Sequence, residues 1–411
     1  MDDLRFAPFK GLRYADPTTL AARLAPPYDV IGPELRRELA RRDRANIVHV
    51  DLPVAPPGGD QYKEAAELLG AWLRGRVLVR DESPSAYVLR TTSTGLDGVA
   101  RSRIGVFLAL KAFPFEPGSF VRPHERTHAG PKEDRRRLTL ATGCNLSPIF
   151  VLSPDSQGSL ARELDAVSAE PPWAKVEVDG QFHEVWIVTG SRALKLATIA
   201  SDDPVYIADG HHRYETAVFV KEELAKSRAW SLGAQRTLSY VVSFRDPGLE
   251  IRPTHRLIPG RPLERSQILK AASPLFARAQ PGEQPDFTVV FADGSEAAMR
   301  LRPGADLSKV KEIAHQALTN LPVAICDYVF VGLVLAGIVK KAPEPGYTPD
   351  EAEARSAVTQ GKCALSILVP PTTLEQVKAV SDAGQFMPPK STFFAPKVPT
   401  GVVLRSFEGE S

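Results

Sequence analysis

Residues 205–217 constrain the fold of this chain more than any other stretch. The sequence runs Val-Tyr-Ile-Ala-Asp, then Gly210, and then a segment in which Ala217, Val220 and Leu224 recur at helical spacing. β-forming residues followed by Asp-Gly indicate a strand that ends in a tight turn. Glycine permits the left-handed backbone that such a turn needs. We therefore predict a strand, a glycine corner and the start of a helix.

A corner of this kind is suited to binding an anion. The first N–H groups of a helix have no acceptor within the helix, and the helix dipole places partial positive charge at that end. The side chains that follow Gly210 add donors, and a guanidinium can grip two phosphate oxygens at once. A structural alternative is that Asp209 caps the helix and Arg213 pairs with a surface carboxylate. The residues predicted for a phosphate or nucleotide site are Asp209, Gly210, His211, His212 and Arg213.

The two adjacent histidines cannot both face the same ligand. Neighbouring helical residues point about 100° apart. Because His211 is nearer to Gly210, we expect His211 to contact the phosphate and His212 to support a neighbouring loop.

Composition limits the class of protein. The 411 residues include 43% hydrophobic and 24% charged residues, enough for two or three domains with proper cores. A formal net charge of +2 gives no global field to hold a nucleic acid, so such a partner is disfavoured. Three scattered cysteines do not make a disulfide framework or a structural zinc site.

The sequence also predicts the cellular location of the protein. The N-terminus shows no signal-peptide pattern, and we find no apolar run that approaches the roughly 18 residues needed to span a bilayer. We expect a cytoplasmic protein without a membrane segment. Its oligomeric state stays open.

Periodicity and turn residues predict a mixed sheet followed by a smaller α+β region. Helices are predicted at 33–42 and 62–73, and strands at 86–90, 102–113, 148–152, 175–178, 183–188 and 237–244. Asp179-Gly180 predicts a type I′ hairpin turn. Clustered prolines place a boundary within 246–264. We therefore predict an α/β N-terminal domain over 1–250 and an α+β C-terminal domain over 251–411, whose tail could fold back over the corner.

Several elements are predicted beyond this boundary. They are a hairpin of 287–291 with 296–301, a helix at 307–321, an apolar helix or strand at 328–340, a strand at 365–369, and a helix from a Thr372-x-x-Glu375 capping box to about residue 383.

Residues 124–128 spell His-Glu-x-x-His, the pattern of zinc proteases. That motif requires both histidines on one face of a helix. Pro123 precedes it, Gly130-Pro131 follows it, and no third ligand stands at the usual spacing, so we predict no metal site. Glu125 is better suited to act as a general base or a magnesium ligand in phosphoryl transfer. A solvated, ion-paired glutamate is the structural alternative.

Other polar loops also suit a phosphate. Prolines stiffen the loops around Tyr28 and Lys390, and the ammonium and hydroxyl groups of the latter can donate to phosphate oxygens. Ordinary packing of these loops is the alternative. The residues predicted to bind a nucleotide or cofactor from such loops are Tyr28, Asp29, His124, Thr127, His255, Arg256, Lys390, Ser391 and Thr392.

Five blocks of the sequence resemble the family known as domain of unknown function 1015. They are APPYDVI at 25–31, VRPHERTHAGPKEDR at 121–135, IADGHHRYETA at 207–217, PTHRLI at 253–258 and MPPKSTFFAPK at 387–397. Together they span nearly the whole chain. The corner at 207–217 is also similar to that of the ParB/sulfiredoxin superfamily, which includes free-serine kinases, sulfiredoxins and CTP-hydrolysing partition proteins.

This resemblance implies a ParB/sulfiredoxin-like strand-turn-helix corner that binds ATP or ADP with Mg²⁺. It implies a phosphotransferase that acts on a small hydroxylated metabolite, with free serine favoured. The catalytic glutamate of the free-serine kinases corresponds to Glu125 by role and not by aligned motif. The residues predicted to be catalytic are Glu125 and, in the corner, Asp209, His211, His212 and Arg213. Two alternatives stay open: a nucleotide hydrolase or CTP-dependent switch, and a non-catalytic ligand-binding or nucleic-acid-binding module. Because the chain lacks a G-x-x-x-x-G-K-[ST] loop, any nucleotide must be held by the corner.

Overall fold

The computed structural model describes residues 4–116, 118–126, 129–225 and 232–409, with only the backbone of residues 129–131. The chain groups into two units. The first consists of Met1–Arg122, Thr127–Glu250 and Pro396–Ser411, and the second of Pro123–Arg126 and Ile251–Ala395. The predicted C-terminal domain runs to residue 411, whereas Pro396–Ser411 belongs to the first unit.

The strands are β1 (Phe6–Ala7), β2 (Leu12–Tyr14), β3 (Leu78–Arg80), β4 (Ser85–Thr94), β5 (Ala100–Lys111), β6 (Val121–Arg122), β7 (Cys144–Asn145), β8 (Ile149–Ser153), β9 (Ala174–Val178), β10 (Gln181–Thr189), β11 (Val205–Asp209), β12 (Arg236–Ser243), β13 (Glu250–Arg252), β14 (His255–Ile258), β15 (Phe276–Arg278), β16 (Phe287–Val290), β17 (Glu296–Leu301), β18 (Gly346–Thr348), β19 (Leu365–Leu368), β20 (Phe393–Ala395) and β21 (Arg405–Ser406).

The α-helices are α1 (Leu20–Arg23), α2 (Pro33–Arg42), α3 (Val48–Asp51), α4 (Gln61–Arg74), α5 (Ala129–Thr142), α6 (Ser159–Ser168), α7 (Gly190–Ala200), α8 (His211–Leu224), α9 (Arg265–Ala272), α10 (Gln316–Thr319), α11 (Pro322–Ala324), α12 (Ala336–Val339), α13 (Glu351–Thr359) and α14 (Leu374–Asp382). The 3₁₀ turns are Pro17–Thr19, Tyr28–Val30, Gly233–Gln235 and Lys311–Ile313, and Ile325–Leu335 forms a π-helical segment.

A nine-stranded mixed sheet forms the centre of the first unit. Its order is β6-β11-β8-β12-β5-β4-β10-β9, with β1 paired to β5. The pairs β6 with β11 and β8 with β12 are parallel, and β11 with β8 is antiparallel. Leu108 and Val151 of the sheet share one buried cluster with Leu160 of α6 and Leu196 of α7. Strand β11, which leads into the corner, is therefore bonded on both sides and positions the corner firmly.

The sequence-predicted elements of this unit are confirmed within a few residues of their ends. Helices α2 and α4 and strands β4, β5, β8, β9, β10, β11 and β12 all form where the periodicity places them. Asp179 and Gly180 join β9 to β10 with φ of +48° and +75°, as a type I′ turn requires. The predicted fold class, a mixed α/β protein with a large mixed sheet and a second, smaller sheet region, is correct.

A six-stranded antiparallel sheet organises the second unit, in the order β15-β17-β16-β19-β14-β18. The predicted hairpin of β16 with β17 is confirmed. Phe276, Phe287 and Phe330 pack against one another with ring centroids 4.8 to 5.9 Å apart. These rings contribute to the core of the unit, since each is almost fully buried.

The expectation that no apolar run approaches the roughly 18 residues of a membrane span is wrong. Pro322–Val339, made up of α11, the π-helical segment and α12, is the helix of the described chain that is long and apolar enough to cross a membrane by length and composition. A core helix of a soluble protein passes the same test. Val329, Phe330 and Leu335 of this helix are buried in the core of the second unit, which is the packing of a core helix.

Two other predictions for this region are wrong in detail. The segment 307–321 does not form one helix. It contains the 3₁₀ turn Lys311–Ile313 and the separate short helix α10, and between them His315 has an extended backbone and its side chain accepts the Ala317 N–H at 3.1 Å. The capping box that opens α14 is formed by Thr373 and Gln376 and not by Thr372 and Glu375. The Thr372 hydroxyl instead donates to the Ser391 carbonyl at 2.9 Å.

A buried ion pair links the core helix to the sheet of the second unit. Arg256 Nε lies 2.8 Å from Asp327 Oδ1, and Arg256 Nη2 lies 3.0 Å from Asp327 Oδ2. The Arg256 side chain is 1% exposed and that of Asp327 is 11% exposed. Two parallel hydrogen bonds compensate the loss of hydration of both charges. Asp327 is thereby tied to strand β14.

We expect Arg256→Met to lower the free energy of unfolding by about 3–5 kcal/mol, because it leaves the Asp327 charge buried without its partner. Urea denaturation measures this loss. The double variant Arg256→Met/Asp327→Leu should recover most of it, since no unpaired charge then remains.

The matched control is Glu283→Gln, which breaks the exposed Arg300–Glu283 pair of the same unit. That change should cost less than about 1 kcal/mol. Equal losses for Arg256→Met and Glu283→Gln would contradict a stabilising role of the buried pair.

Candidate functional site

The corner predicted from residues 205–217 is present in the first unit. Strand β11 ends at Asp209, Gly210 has φ of +91°, and α8 begins at His211. A Cβ atom at Gly210 would lie 3.0 Å from Cζ of Arg213. Glycine is therefore needed both for the left-handed backbone and for the close approach of this guanidinium.

The Asp209 carboxylate binds two cations. Lys397 Nζ donates to Asp209 Oδ1 at 2.5 Å, and Arg213 Nη2 donates to Asp209 Oδ2. Arg213 Nη1 also donates to the Pro148 carbonyl. Burial acts to raise the pKa of the Asp209 carboxyl, but the charges of Lys397 and Arg213 outweigh it and hold that pKa well below its usual range. Asp209 is thus a buried counter-ion at neutral pH.

These contacts contradict the structural alternative in which Asp209 caps helix α8. The N-cap residue of α8 is Gly210, which has no side chain with which to cap the helix. Asp209 therefore binds Lys397 and Arg213 and does not cap the helix.

A second group of charges in the first unit adjoins Arg213. Arg135 Nη1 donates to Asp51 Oδ1 at 3.0 Å, and Ser147 Oγ donates to Asp51 Oδ2 at 3.1 Å. The Arg135 Cζ atom lies 4.1 Å from the ring centroid of Tyr28, a cation–π distance. Burial raises the pKa of Tyr28 to about 12, although the positive charge of Arg213 opposes this.

The loop at 28–29 is therefore close enough to Arg213 for their charges to interact, and its predicted role in ligand binding stays a prediction. Burial of the Arg213 guanidinium acts to lower its pKa, but the charge of Asp209 raises it. The exposed carboxylate of Asp29 raises this pKa further. Tyr28 and Asp29 lie on the 3₁₀ turn Tyr28–Val30, which the two preceding prolines lead into.

A small cavity lies behind the corner. Its volume is about 40 Å³, and Asp51, Arg135, Ser147, Arg213 and Thr216 are among its lining residues. A water molecule needs roughly 10–15 Å³ of such space, so the cavity has room for a few water molecules only. A nucleotide cannot be held inside it.

The two histidines of the corner differ in burial. His211 is 8% exposed, whereas His212 is half-buried. A protonated His211 would act on Asp209, since its charge lowers the pKa of that carboxyl. The assignment of His211 to a phosphate and His212 to a supporting role stays a prediction.

Four predicted residues of the second unit lie together: His124, Glu125, Ser391 and Thr392. Glu125 Oε1 accepts the Ser391 N–H at 3.0 Å and lies 3.9 Å from His124 Nε2. His124 Nε2 lies 2.9 Å from Thr392 Oγ1. The structure thus brings together residues that are more than 260 positions apart in sequence. Lys390, predicted with them, is exposed and has φ of +56°.

Glu125 does not lie on a helix. It forms a parallel β-bridge with Met387, and the Met387 N–H donates to the His124 carbonyl at 2.7 Å. The His-Glu-x-x-His pattern therefore does not adopt the zinc-protease geometry at its first two positions. Thr127 and His128 lie outside the described residues. No group of three or more His, Cys, Asp or Glu side chains placed to hold a metal ion occurs in the described part of the chain.

His255 and Arg256, also predicted to bind the cofactor, are buried on strand β14. His255 Nδ1 accepts the Val369 N–H at 3.3 Å, and Arg256 forms the ion pair with Asp327 described above. Both side chains therefore have structural contacts within the second unit.

Sequence reasoning missed three charged residues of the corner: Asp51, Arg135 and Lys397. Arg135 and Lys397 end two of the blocks that carry the family resemblance, so membership of those blocks was a usable signal. Asp51 follows the apolar run Ile-Val-His-Val and has no comparable signal.

The low pKa of Asp209 predicts a pH dependence of stability. The unfolded pKa of an aspartate is about 3.9. Because the folded pKa is lower, the stabilisation is fully present above about pH 4 and is lost as pH falls below that value. We expect the urea midpoint of the wild type to fall more steeply from pH 5 to pH 3 than that of Asp209→Asn.

Asp179→Asn is a suitable control for this series, because the Asp179 carboxylate is half-exposed beside Arg42. This variant should keep the slope of the wild type. A slope of Asp209→Asn equal to that of the wild type would show that Asp209 is not held ionised by its two partners.

Comparisons with known proteins place the chain in a family. Solved structures similar to it include a free serine kinase in complex with AMP, at 15% identity and a TM-score of 0.37 over 71% of this chain and 87% of that one. They include a conserved hypothetical protein from Pyrococcus furiosus, at 16% identity and a TM-score of 0.36 over 72% and 93%. They also include C-terminally truncated SbnI from Staphylococcus aureus, at 11% identity and a TM-score of 0.35 over 74% and 84%.

No curated protein sequence matches the chain. The sequence model of the family described as protein of unknown function (DUF1015) matches residues 6–324, more than three quarters of the chain. The chain belongs to this family.

Proposed function

We propose that this protein is a nucleotide-dependent phosphotransferase that uses ATP or ADP with Mg²⁺ and acts on a small hydroxylated metabolite, free serine being the favoured acceptor. The observation that carries the proposal is the corner of the first unit. There, a left-handed glycine is the N-cap of helix α8, and two cations bind one carboxylate. The choice of serine rests on the resemblance of the corner sequence to free-serine kinases.

The residues of the corner suit a phosphate group. Arg213 and Lys397 carry two positive charges against the single negative charge of Asp209, and the helix end adds partial positive charge. A Cβ atom at Gly210 would fill the space beside Arg213. Backbone and guanidinium can therefore approach a phosphate together, without a G-x-x-x-x-G-K-[ST] loop.

A magnesium ion in the proposed site would need only a few ligands from the protein. Mg²⁺ in nucleotide sites is commonly bound by one or two carboxylates together with the phosphates. The exposed carboxylate of Asp29 is available for this purpose. When bound, the ion neutralises charge on the transferred phosphoryl group.

Glu125 is the proposed general base. Phosphoryl transfer forms a bond between the acceptor oxygen and phosphorus while the bond from phosphorus to the leaving oxygen breaks, and the hydroxyl proton passes to a carboxylate. The Ser391 N–H fixes Glu125 Oε1 at 3.0 Å and so orients the carboxylate. His124 is fully buried beside it and limits its rotation.

A thermal-shift screen of nucleotides with magnesium, followed by product analysis with a panel of amino acids, tests the proposal. A ligand at 100 times its dissociation constant stabilises by about 2.7 kcal/mol, which a melting curve resolves. Serine-dependent formation of ADP or AMP supports the proposed reaction. Nucleotide loss without an acceptor would indicate the hydrolase or switch, and a shift with DNA alone would indicate a binding module.

We expect Glu125→Gln to lower turnover by about 10²-fold or more while nucleotide affinity stays unchanged, because the amide keeps the shape of the side chain but cannot take a proton. Single-turnover kinetics and a binding titration measure the two quantities separately. Glu375→Gln, an exposed position in the first turn of α14, is the control and should leave both unchanged. Turnover by Glu125→Gln at the wild-type rate would exclude Glu125 as the base.

A further inference from the structure

We propose that Lys397 is a phosphate-binding residue of the corner, and that Asp209 is the counter-ion that Lys397 leaves when the phosphate binds. The identity of the anion rests on the proposed function. Lys397 lies outside residues 6–324, the part of the chain that the family model matches. The inference therefore gives the C-terminal segment of the first unit a direct part in ligand binding.

The backbone near Lys397 is fixed within the first unit. Thr400 and Ala25 exchange two backbone hydrogen bonds of 2.8 and 3.2 Å, and Leu404 and Leu12 exchange two of 2.8 Å. Thr400 is fully buried. The ammonium group of Lys397 therefore reaches the corner from a segment whose backbone is anchored three residues further along the chain.

Lys397 is a flexible cation, whereas Arg213 is a rigid one. The Arg213 guanidinium is a planar fork held on Asp209 and on the Pro148 carbonyl, so its displacement would break contacts on two sides. The ammonium of a lysine is a point charge on a flexible four-carbon stem with three rotatable donors. The Lys397 side chain is 17% exposed and contacts Asp209 Oδ1 at 2.5 Å. A small rotation can transfer its charge to an arriving anion.

Asp209 competes with any anion for these cations. With Asp209 ionised, the group formed by Asp209, Arg213 and Lys397 has a net charge of +1, the sum of two positive charges and one negative charge. An uncharged residue at position 209 would leave a net charge of +2 at the same place. Removal of the carboxylate charge should therefore strengthen phosphate binding, whereas removal of the ammonium should weaken it.

Calorimetric titration of the full chain with inorganic pyrophosphate, in the absence of magnesium, tests this inference. We expect Lys397→Met to weaken pyrophosphate binding by about tenfold or more, and Asp209→Asn to strengthen it several-fold, with a steeper dependence on salt. Lys175→Met is the control, because Lys175 is an exposed lysine of the same unit paired with Glu184. It should bind pyrophosphate as the wild type does.

Three results would overturn the inference. The first is weaker pyrophosphate binding by Asp209→Asn, provided that its far-UV spectrum and cooperative unfolding match those of the wild type. The second is unchanged pyrophosphate binding by Lys397→Met. The third is no pyrophosphate binding by either the wild type or Asp209→Asn. If Lys397→Met folds poorly, Lys397→Gln, which keeps a polar side chain of similar length, takes its place.

These outcomes separate the inference from the proposed function. Pyrophosphate affinities that change as expected, together with no phosphoryl transfer to any acceptor, would leave Lys397 as a binding residue and refute the kinase. Serine-dependent turnover with an unchanged nucleotide KM and an unchanged pyrophosphate affinity in Lys397→Met would keep the kinase and refute the role of Lys397.

Discussion

The corner of the first unit depends on the carboxylate of Asp209. Arg213 and Lys397 are both largely buried, and both bind the same carboxylate. Without that anion their two positive charges would repel one another. Asp209 supplies that anion from the last position of an internal strand, and Gly210 then turns the backbone so that the guanidinium lies against it. The end of strand β11, the turn at Gly210 and the start of helix α8 are thus held in place around one negative charge.

Buried ion pairs have a similar role elsewhere in the molecule. Asp51 with Arg135 joins residues 84 positions apart, and Arg256 with Asp327 joins residues 71 positions apart. In each case a carboxylate also accepts a second hydrogen bond, so its lost hydration is compensated. Apolar contacts favour burial without strong directional preference, whereas these pairs specify which segments meet.

Local chemistry determined which parts of the fold could be predicted. Strand β11, the Gly210 turn and the start of α8 follow from residues that are adjacent in sequence, as does the Asp179-Gly180 hairpin. The contact of Lys397 with Asp209 spans 188 positions, and no local pattern encodes it. Similarly, the periodicity of 307–321 is helical, but the segment forms a 3₁₀ turn and a separate short helix with the extended backbone of His315 between them.

The two carboxylates predicted to be catalytic have different chemical capacities. An effective general base has a pKa near the working pH, so that it is ionised but still takes up a proton. Asp209 does not meet this condition, because Lys397 and Arg213 stabilise its charged form and keep its pKa well below the usual range. Glu125 accepts a backbone N–H from Ser391. Asp209 is therefore suited to hold cations in place and not to take up a proton.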